Sequence, residues 1–369
     1  MSTIYRTRRE QLLTAFTEQG IGAGLITSPT NVAYLTGFMC NPHERFMGLL
    51  LNADSKEAVL FVPLLDQDAA VEAGFEGEIV PISDTQDAYA ILGGRLSASL
   101  GTFGVEKHAL SMIQGETLGL LLPNTDFEDL ETAILGLRLY KSDEEIVKVR
   151  HAIDIIERVV DYAAVHAKVG MSEIDLTAEL EYQMRKLGAD RPAFESIVLT
   201  GTRSALPHGK PGAAKLTHGD YLLIDIGVQA DGYCSDITRT FVIGEATKEQ
   251  ERIYETVLAA NMAGIAQAEA GVTLASLDAA AREVIVEAGY GSYFTHRVGH
   301  GFGMDVHESP SLHGNNQELV RNGLLFTIEP GIYVPEIGGV RIEDDVYIRS
   351  DGKAEVLTSY PKTLRVLGG

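Results

Sequence analysis

Two aspartates on neighbouring predicted strands are the first candidates for chemistry. The stretch from Asp220 to Phe241 indicates two strands joined by a short loop, and each strand carries an acidic residue, Asp225 or Asp236, where a buried strand normally has an apolar one. Their midpoint falls inside Gln229 to Gly232, so a four-residue loop would place the two carboxylates directly opposite each other. Such close carboxylates repel each other and are costly to bury unless a cation lies between them. Two divalent metal ions about 3.5–4 Å apart would fit the gap, and the alternative is an exposed acidic hairpin.

A second candidate is the glycine-rich segment from His296 to His307, which holds three histidines and three glycines in twelve residues. Glycine lets the backbone approach a ligand closely, and a neutral imidazole is a strong metal ligand. A single histidine is more often structural. Three of them on one glycine-rich segment, including His300, indicate a binding site.

Carboxylates also follow this segment. Glu329 ends an apolar strand, and Arg341 and Glu343 are two residues apart, which on a strand places them on one face. Four carboxylates and one imidazole are an oxygen-rich ligand set that suits Mn²⁺ or Co²⁺, and Zn²⁺ is possible. A water between two such ions becomes a nucleophile near neutral pH. Because four carboxylates neutralise two divalent ions, we expect two metal ions bound by Asp225, Asp236, His300, Glu329 and Glu343.

One loop in the first part of the chain carries a charged cluster. Asn41-Pro42 indicates a turn, and His43, Glu44 and Arg45 follow it directly. Such a cluster is usually solvated. The alternative is a substrate-binding element that points into another active site, such as that of a second subunit.

The composition excludes several classes of partner. The chain has 369 residues and a net charge of −22, so the phosphates of nucleic acids would be repelled. No apolar run approaches the ~20 residues that span a bilayer, and the first residues, MSTIYRTRREQLL, lack the apolar segment of a signal peptide. Cys40 and Cys234 are far apart in sequence, which is typical of a reducing compartment. We therefore expect a cytoplasmic protein with no membrane or nucleic-acid partner.

The length of the chain indicates two domains. Residues 1–132 alternate helical and strand-like segments, including a helix over 86–99, which is typical of an α/β domain. Capping-box patterns at Ser142 and Thr247 each open a long helix, the first reaching about Val169, and each is followed by a second helix and strands. The repeated order predicts that residues 133–369 form an α+β domain of two similar halves, with the site on the sheet between them.

Six ordered motifs resemble the aminopeptidase P and prolidase family of metallopeptidases, whose relatives include methionine aminopeptidase and creatinase. They are Asp225-Ile-Gly227, Ser235-Asp236-Ile-Thr-Arg-Thr240, Gly299-His300-Gly301-Phe-Gly303, Val306-His307-Glu308, Ile328-Glu329-Pro330-Gly331 and Gly339-Val-Arg341-Ile-Glu343-Asp344. Residues 1–132 also resemble the creatinase-like, non-catalytic N-terminal domain of that family, so the resemblance covers essentially the whole chain. It implies a pita-bread catalytic domain over 133–369 with pseudo-twofold halves, and metal ligands at the same five residues.

The resemblance also implies roles for the polar residues of the site. In this family the metal ions polarise the scissile carbonyl, a hydroxide that bridges them attacks it, and the glutamate matched by Glu329 carries the proton to the leaving nitrogen. Histidines matched by His208 and His307 stabilise the tetrahedral intermediate and position the peptide. His296 is expected to shape the proline pocket, and Arg341 matches the arginine beside the last ligand.

The implied substrate is a small peptide with proline at its second position. Prolidases accept only Xaa-Pro dipeptides and need a cation for the free carboxylate, whereas aminopeptidases P accept longer peptides. The chain length and the loop Asn41-Pro-His-Glu-Arg45 resemble bacterial prolidases, in which a corresponding loop reaches the neighbouring subunit's site, and this favours a homodimeric Xaa-Pro dipeptidase. Archaeal-type prolidases, however, carry an arginine at the position of Ser311. The carboxylate would then be bound by His43, Arg45 or another residue.

Other classes share this fold. Its metal-free members are creatinase-type hydrolases or peptide- or histone-binding modules, and these generally lose the ligand carboxylates that are all present here. Methionine aminopeptidase lacks a large N-terminal domain of this kind. An aminopeptidase P that acts on longer peptides is therefore the nearest alternative to the dipeptidase.

Overall fold

The structure is a computed structural model that describes residues 2–96 and 100–368, with side chains from residue 4 onward. The chain divides into two units, Met1–Arg138 and Leu139–Gly369. None of the helices in the described ranges is long and apolar enough to cross a membrane.

One six-stranded mixed sheet forms the centre of the first unit. Its strands are β1 (Ala23–Ile26), β2 (Gly48–Asn52), β3 (Ala58–Pro63), β4 (Glu78–Ile82), β5 (Thr102–Val105) and β6 (Asp126–Asp129). They lie in the order β4-β3-β2-β1-β5-β6, in which β2 is antiparallel to both its neighbours and the remaining pairs are parallel. The helices in this part of the chain are α1 (Ser2–Gln19), α2 (Pro29–Thr36), α3 (Gln67–Glu72), α4 (Ala88–Gly93), α5 (Met112–Leu121) and α6 (Glu131–Leu139). Parallel pairs separated by helices are typical of an α/β domain.

The helix predicted over 86–99 is shorter in the structure. It begins after Asp87, whose carboxylate accepts hydrogen bonds from the backbone N–H groups of Tyr89 and Ala90. It ends at Gly93, which Gly94 follows, because two consecutive glycines lower the helix propensity at this point. The last part of the prediction, residues 97–99, lies outside the described residues.

Four helices form two pairs in the second unit: α7 (Asp143–His166), α8 (Glu173–Lys186), α9 (Lys248–Gln267) and α10 (Leu274–Glu287). The capping boxes predicted at Ser142 and Thr247 are present, since each side chain accepts a hydrogen bond from the backbone N–H three residues later. Helix α7 ends three residues before the predicted position. Gly170, which has a φ of 86°, lies in the turn that follows.

The strands of the second unit form four small sheets. They are β7 (Arg191–Pro192), β8 (Ile197–Thr200), β9 (Tyr221–Ile226), β10 (Val228–Ala230), β11 (Tyr233–Cys234), β12 (Ile237–Ile243), β13 (Gly299–Gly301), β14 (Glu308–Leu312), β15 (Leu325–Ile328), β16 (Gly331–Val334), β17 (Gly338–Arg341), β18 (Asp344–Ile348), β19 (Ala354–Val356) and β20 (Val366–Leu367). The sheet orders are β20-β12-β9-β8, β14-β13-β15-β18-β19, β11-β10-β7 and β16-β17.

Each helix pair shares a buried apolar cluster with strands of its own half. Helices α7 and α8 share one buried apolar cluster with β8, β9 and β12. Helices α9 and α10 share a second cluster with β15, β16 and β18. The second unit therefore contains the duplicated arrangement of two helices and a sheet that the sequence predicts, and the candidate metal ligands are divided between the two halves.

Candidate active site

The hairpin that carries Asp225 and Asp236 is closed by a two-residue loop. Asp231 and Gly232 both have positive φ angles, 51° and 78°, as a type I′ turn requires. This loop shifts the pairing from the predicted register, so that Asp225 lies opposite Thr238. The prediction that the two aspartates lie directly opposite each other was therefore wrong. Because Thr238 and Asp236 are two residues apart along the chain, the aspartates are diagonal neighbours on the same face.

The other three candidate ligands come from the second half of the unit. His300 lies in β13, Glu329 directly follows β15, and Glu343 lies in the short connection between β17 and β18. The prediction that Glu343 shares a strand face with Arg341 was wrong, because the chain leaves the β16-β17 sheet at Arg341 and joins another sheet at Asp344. Asp236, His300 and Glu343 nevertheless bring ligand atoms within 4.8 Å of one another.

A single cavity of about 340 Å³ unites these residues. Its wall includes all five candidate metal ligands and all four other predicted catalytic residues of the second unit. Apolar side chains form part of the same wall. The lining residues are Phe194, Ile197, Pro207, His208, Asp225, Asp236, His296, Arg297, His300, Val306, His307, Glu329, Arg341 and Glu343.

Three carboxylates in this cavity, those of Asp236, Glu329 and Glu343, are destabilised in their charged form. Burial and the charge of Glu343 raise the pKa of Asp236 well above its usual range. Burial and the charge of Glu329 do the same to the pKa of Glu343. Burial also raises the pKa of Glu329 to about 8. A divalent cation among these groups would reverse this effect, because it stabilises the ionised carboxylates.

The hydrogen bonds of the site leave atoms available for metal ions. Asp225 Oδ1 and Asp236 Oδ1 are buried and accept no hydrogen bond from the described residues. The Nδ1 atom of His300 lies 3.1 Å from the Gly301 carbonyl oxygen, to which it donates, so Nε2 keeps its lone pair. That Nε2 lies 3.7 Å from Asp236 Oδ2 and 3.5 Å from Glu329 Oε1. Burial lowers the pKa of His300 to about 3, so the imidazole is neutral as a metal ligand must be. The residues present fit divalent metal ions.

Arg341 is buried beside the candidate ligands, and each of its three guanidinium nitrogens donates a hydrogen bond. Its guanidinium donates hydrogen bonds to Asp225 Oδ2, to the Tyr333 hydroxyl at 2.7 Å and to the Thr238 hydroxyl at 3.1 Å. Thr238 in turn donates to Glu343 Oε2 at 2.7 Å. Arg341 therefore orients two carboxylates, one directly and one through a threonine.

His296 is held in one tautomer by its neighbours. Its Nδ1 lies 2.7 Å from the Arg297 carbonyl oxygen and must donate to it, so Nε2 accepts the hydrogen bond from the Tyr333 hydroxyl at 2.9 Å. Burial lowers the pKa of His296 to about 4, so the ring is neutral near pH 7. Sequence reasoning missed Tyr333, which stands two residues after Gly331 in an otherwise apolar strand.

His208 and His307 lie on loops at the cavity wall. The His307 ring meets the His300 ring edge to face, with centroids 4.2 Å apart. His208 lies on the loop between Gly201–Ala205 and β9. That loop is fixed by Glu173, a fully buried residue whose carboxylate accepts hydrogen bonds from Thr200 N at 2.9 Å, Gly212 N at 2.9 Å and Arg203 Nε at 3.0 Å.

The two predicted substrate-binding residues of the first unit are not among the described residues that line this cavity. The Arg45 guanidinium pairs with Asp84, at 2.8 Å between Nε and Oδ1, and with Glu44 at 3.1 Å. His43 is exposed and has a φ of 55°. Substrate binding by His43 and Arg45 stays a prediction.

Arg297 is a cavity residue that sequence reasoning passed over. Its guanidinium donates to the Ser311 hydroxyl at 2.9 Å, and it pairs with no carboxylate within residues 2–96 and 100–368. The available signal was its position between the two histidines of His296-Arg-Val-Gly-His300, within the segment already identified as a binding site. The cavity thus contains one arginine that is hydrogen-bonded to a candidate ligand, and a second that forms no ion pair with a carboxylate of the described chain.

Comparison with known proteins identifies the class to which this fold and site belong. Residues 147–350 match the model of metallopeptidase family M24, and residues 8–140 match the Creatinase/Prolidase N-terminal domain. The chain belongs to metallopeptidase family M24.

Particular relatives resemble the chain over nearly its full length. It is 42% identical to the putative dipeptidase YkvY of Bacillus subtilis, over 95% of this chain and 97% of that protein. The structure of an Xaa-Pro dipeptidase from Bacillus anthracis is similar with a TM-score of 0.92 and 34% identity, over 98% of this chain and 100% of that one. The structure of an X-Pro aminopeptidase from Thermotoga maritima is similar with a TM-score of 0.89 and 33% identity, over 97% and 99%.

These comparisons confirm several predictions. The family resemblance, the creatinase-like N-terminal domain with a pita-bread catalytic domain, and the assignment as a metallopeptidase are all confirmed. The chain is an enzyme of a family that uses divalent metal ions. The identity of the metal and the roles of individual residues stay predictions.

Proposed function

We propose that this protein is an Xaa-Pro dipeptidase with two divalent metal ions, Mn²⁺ being the first choice. The observation that carries the proposal is the convergence of four carboxylates and one imidazole on a cavity of about 340 Å³, a size suited to a small peptide. Relatives that are described as dipeptidases support the same substrate class. The homodimer and the cytoplasmic location predicted from the sequence are part of this proposal, as is a non-catalytic role for the first domain, residues 1–132.

In this proposal the ions are held by the five side chains described above. When bound, they supply Lewis-acid polarisation of the scissile carbonyl and acidify the attacking water. Oxygen-rich ligation of this kind favours Mn²⁺ or Co²⁺ over softer metals, and Zn²⁺ is the remaining candidate.

The protein's own side chains perform the remaining steps. Glu329 lies beside His300 and would transfer the proton to the leaving proline nitrogen. His208 and His307 would donate hydrogen bonds to the oxygen on which negative charge develops. His296, held neutral against Tyr333, would form one wall of the pocket for the proline ring.

Arg297 supports the dipeptidase over the aminopeptidase. A dipeptide ends in a carboxylate directly after proline, whereas a longer peptide has a neutral amide there. The guanidinium of Arg297 is bonded only to a serine hydroxyl in the described part of the chain, and an arginine in a partly buried cavity favours an anionic partner. We assign the substrate carboxylate to Arg297, so this residue takes the role that the sequence left open between His43, Arg45 and another residue.

The test compares substrates of different length after metal has been controlled. The protein is stripped with a chelator, Mn²⁺ is restored, and hydrolysis of Gly-Pro, Ala-Pro and Ala-Pro-Ala is measured. We expect activity that needs the metal and falls by at least about tenfold from dipeptide to tripeptide. Activity unaffected by chelation would reject the metal-dependent function. Comparable rates on the tripeptide would favour the aminopeptidase, the activity named for the similar Thermotoga structure.

A further inference from the structure

Glu308, in the motif Val306-His307-Glu308, has no part in the chemistry described so far. Its carboxylate forms an ion pair with Lys141, at 3.1 Å between Oε2 and Nζ. The two side chains are only 4% and 1% exposed. Bringing two charges into the protein interior is costly, and removing one partner of such a pair is strongly destabilising because the other charge stays buried. A pair of this kind next to an active-site histidine therefore calls for a functional reason.

The ion pair holds one short stretch of backbone, residues 303–308, in place. The second oxygen of Glu308, Oε1, accepts a hydrogen bond from the backbone N–H of Asp305 at 3.0 Å. At Gly303, a Cβ atom would lie 2.9 Å from the Glu308 carboxylate oxygens and from Lys141 Cε. Only glycine leaves room for the pair to close on this segment.

The start of the same segment is fixed by the hairpin. The backbone N–H of Cys234 donates to the Gly303 carbonyl oxygen at 2.7 Å, and the Gln229 side chain donates to the Met304 carbonyl oxygen at 3.0 Å. These contacts hold residues 303–304. The ion pair holds the other end at Glu308, directly after His307. The His307 ring lies at the cavity wall with its centroid 4.2 Å from that of His300.

We propose that Lys141 and Glu308 are positioning residues that set the place of the His307 imidazole in the active site. Neither side chain is among the described residues that line the cavity, so both act through the backbone of residues 305–308. The inference rests on the proposed function for its catalytic consequence. If the role of Lys141 and Glu308 is positioning, the protein should still fold when both charges are removed together. Its turnover should fall, because a misplacement of about 1 Å can cost on the order of a hundredfold in rate.

The test uses the double variant Lys141→Met/Glu308→Gln in the full-length, metal-loaded protein. It removes both charges, so neither is left buried alone, and the side-chain amide introduced at position 308 can still accept the Asp305 hydrogen bond. The control is Arg150→Met, which removes a cation of α7 that pairs with Glu355 at the surface, at 2.7 Å. Bound metal, the melting temperature, kcat and KM for Ala-Pro, and the His300–His307 ring distance in a crystal structure are measured.

We expect the double variant to keep its metal and its melting temperature. Its kcat should fall about ten- to a hundredfold with KM within about threefold, and the two rings should separate by about 1 Å or more. The control should match the parent. A folded, metal-loaded double variant whose kcat stays within about twofold of the parent would overturn the proposal.

Failure of the proposed function gives a different result. If the parent protein with Mn²⁺ does not cleave Ala-Pro, the ring distance alone decides, and an unchanged distance in the double variant would overturn the positioning role. If the double variant does not fold, Glu308→Asp alone replaces it under the same criteria. That variant keeps both charges, but its shorter side chain cannot reach Lys141 and the Asp305 N–H unless the backbone of residues 305–308 moves.

Discussion

Arg297 donates a hydrogen bond of 2.9 Å to the hydroxyl of Ser311, which lies on the neighbouring strand β14. Ser311 stands at the position where archaeal-type prolidases carry an arginine. In this protein a positive charge therefore reaches the same place from the preceding segment, three residues before the candidate metal ligand His300. The serine hydroxyl orients the guanidinium and leaves its charge available to an anion.

Substitution of Arg297 should affect peptides with a free carboxylate selectively. We expect Arg297→Gln to raise KM for Ala-Pro by about tenfold to a hundredfold, since hydrogen bonds to charged groups contribute about 1.5–3 kcal/mol. KM for Ala-Pro amide, which lacks the carboxylate, should change by less than about threefold. Steady-state kinetics on the two substrates checks this. Arg45→Ala is the matched comparison: if it alone raises KM for Ala-Pro, the loop of the first unit binds the carboxylate instead.

Metal removal should make stability decrease with pH. The pKa of Glu329 is raised to about 8 in the metal-free fold, so the folded state binds more protons than the unfolded state above pH 4.5, the usual value of this group. Stability is then lost as pH rises toward 8. We expect Glu329 to lower the free energy of unfolding of the metal-free protein by about 1.6 kcal/mol between pH 6.5 and 8, because the slope of about 1.4 kcal/mol for each pH unit halves at the pKa.

The histidines have the opposite effect on the free energy of unfolding, but only below the window from about pH 6.5 to 8. The pKa values of His296 and His300 are lowered to about 4 and about 3, so these groups reduce stability only as pH falls below about 6.5. Urea denaturation of the chelated protein at three pH values measures the slope. With saturating Mn²⁺ the slope should disappear, because the bound ions keep the carboxylates ionised in the folded state. Equal slopes with and without metal would show that the buried carboxylates do not meet at a metal site.

Glu343→Gln should lower the activity of the protein and raise the stability of its metal-free form. It removes a proposed metal ligand, so we expect less bound metal and at least about a hundredfold loss of kcat/KM. The metal-free variant should be more stable than the metal-free parent at pH 8, because a buried carboxylate with a raised pKa has become a neutral amide that still accepts the Thr238 hydrogen bond. Metal analysis and urea denaturation test both. Asp231→Asn, in the turn of the hairpin, is the control and should change neither, and a metal-free Glu343→Gln that is less stable than the parent would contradict the prediction.

Glu173→Ala should loosen the loop that carries His208. The substitution leaves the backbone N–H groups of Thr200 and Gly212 and the Nε–H of Arg203 without their acceptor. At about 1–3 kcal/mol for each buried donor left unpaired, we expect a loss of at least about 2 kcal/mol in the free energy of unfolding, together with a lower kcat. Chemical denaturation and kinetics measure the two effects. Glu179→Ala, on the exposed side of the same helix, should stay within about 0.5 kcal/mol, and an equal effect of the two substitutions would remove the special role of Glu173.

Local signals in the sequence were sufficient for much of the fold and for the composition of the site. The capping boxes at Ser142 and Thr247 depend on residues three positions apart, so they could be read directly from the sequence. The candidate ligands were recognisable because a carboxylate within an apolar strand, or a histidine among glycines, conflicts with the surrounding pattern. The ordered motifs identified the family, which the family models confirm.

The relationships between distant residues were decided by the tertiary structure alone. The register of the hairpin depends on whether Asp231 and Gly232 both adopt positive φ angles. Both do, and in the resulting register Asp225 pairs with Thr238 instead of with Asp236. The pairing of Arg297 with Ser311, and of Lys141 with Glu308 across 167 positions of sequence, follows from how separate segments pack together. The sequence by itself determined which chemical groups are present. Their distances and burial, on which their pKa values and partners depend, are properties of the folded chain, because contacts between separate segments have no periodic or neighbouring signature in the sequence.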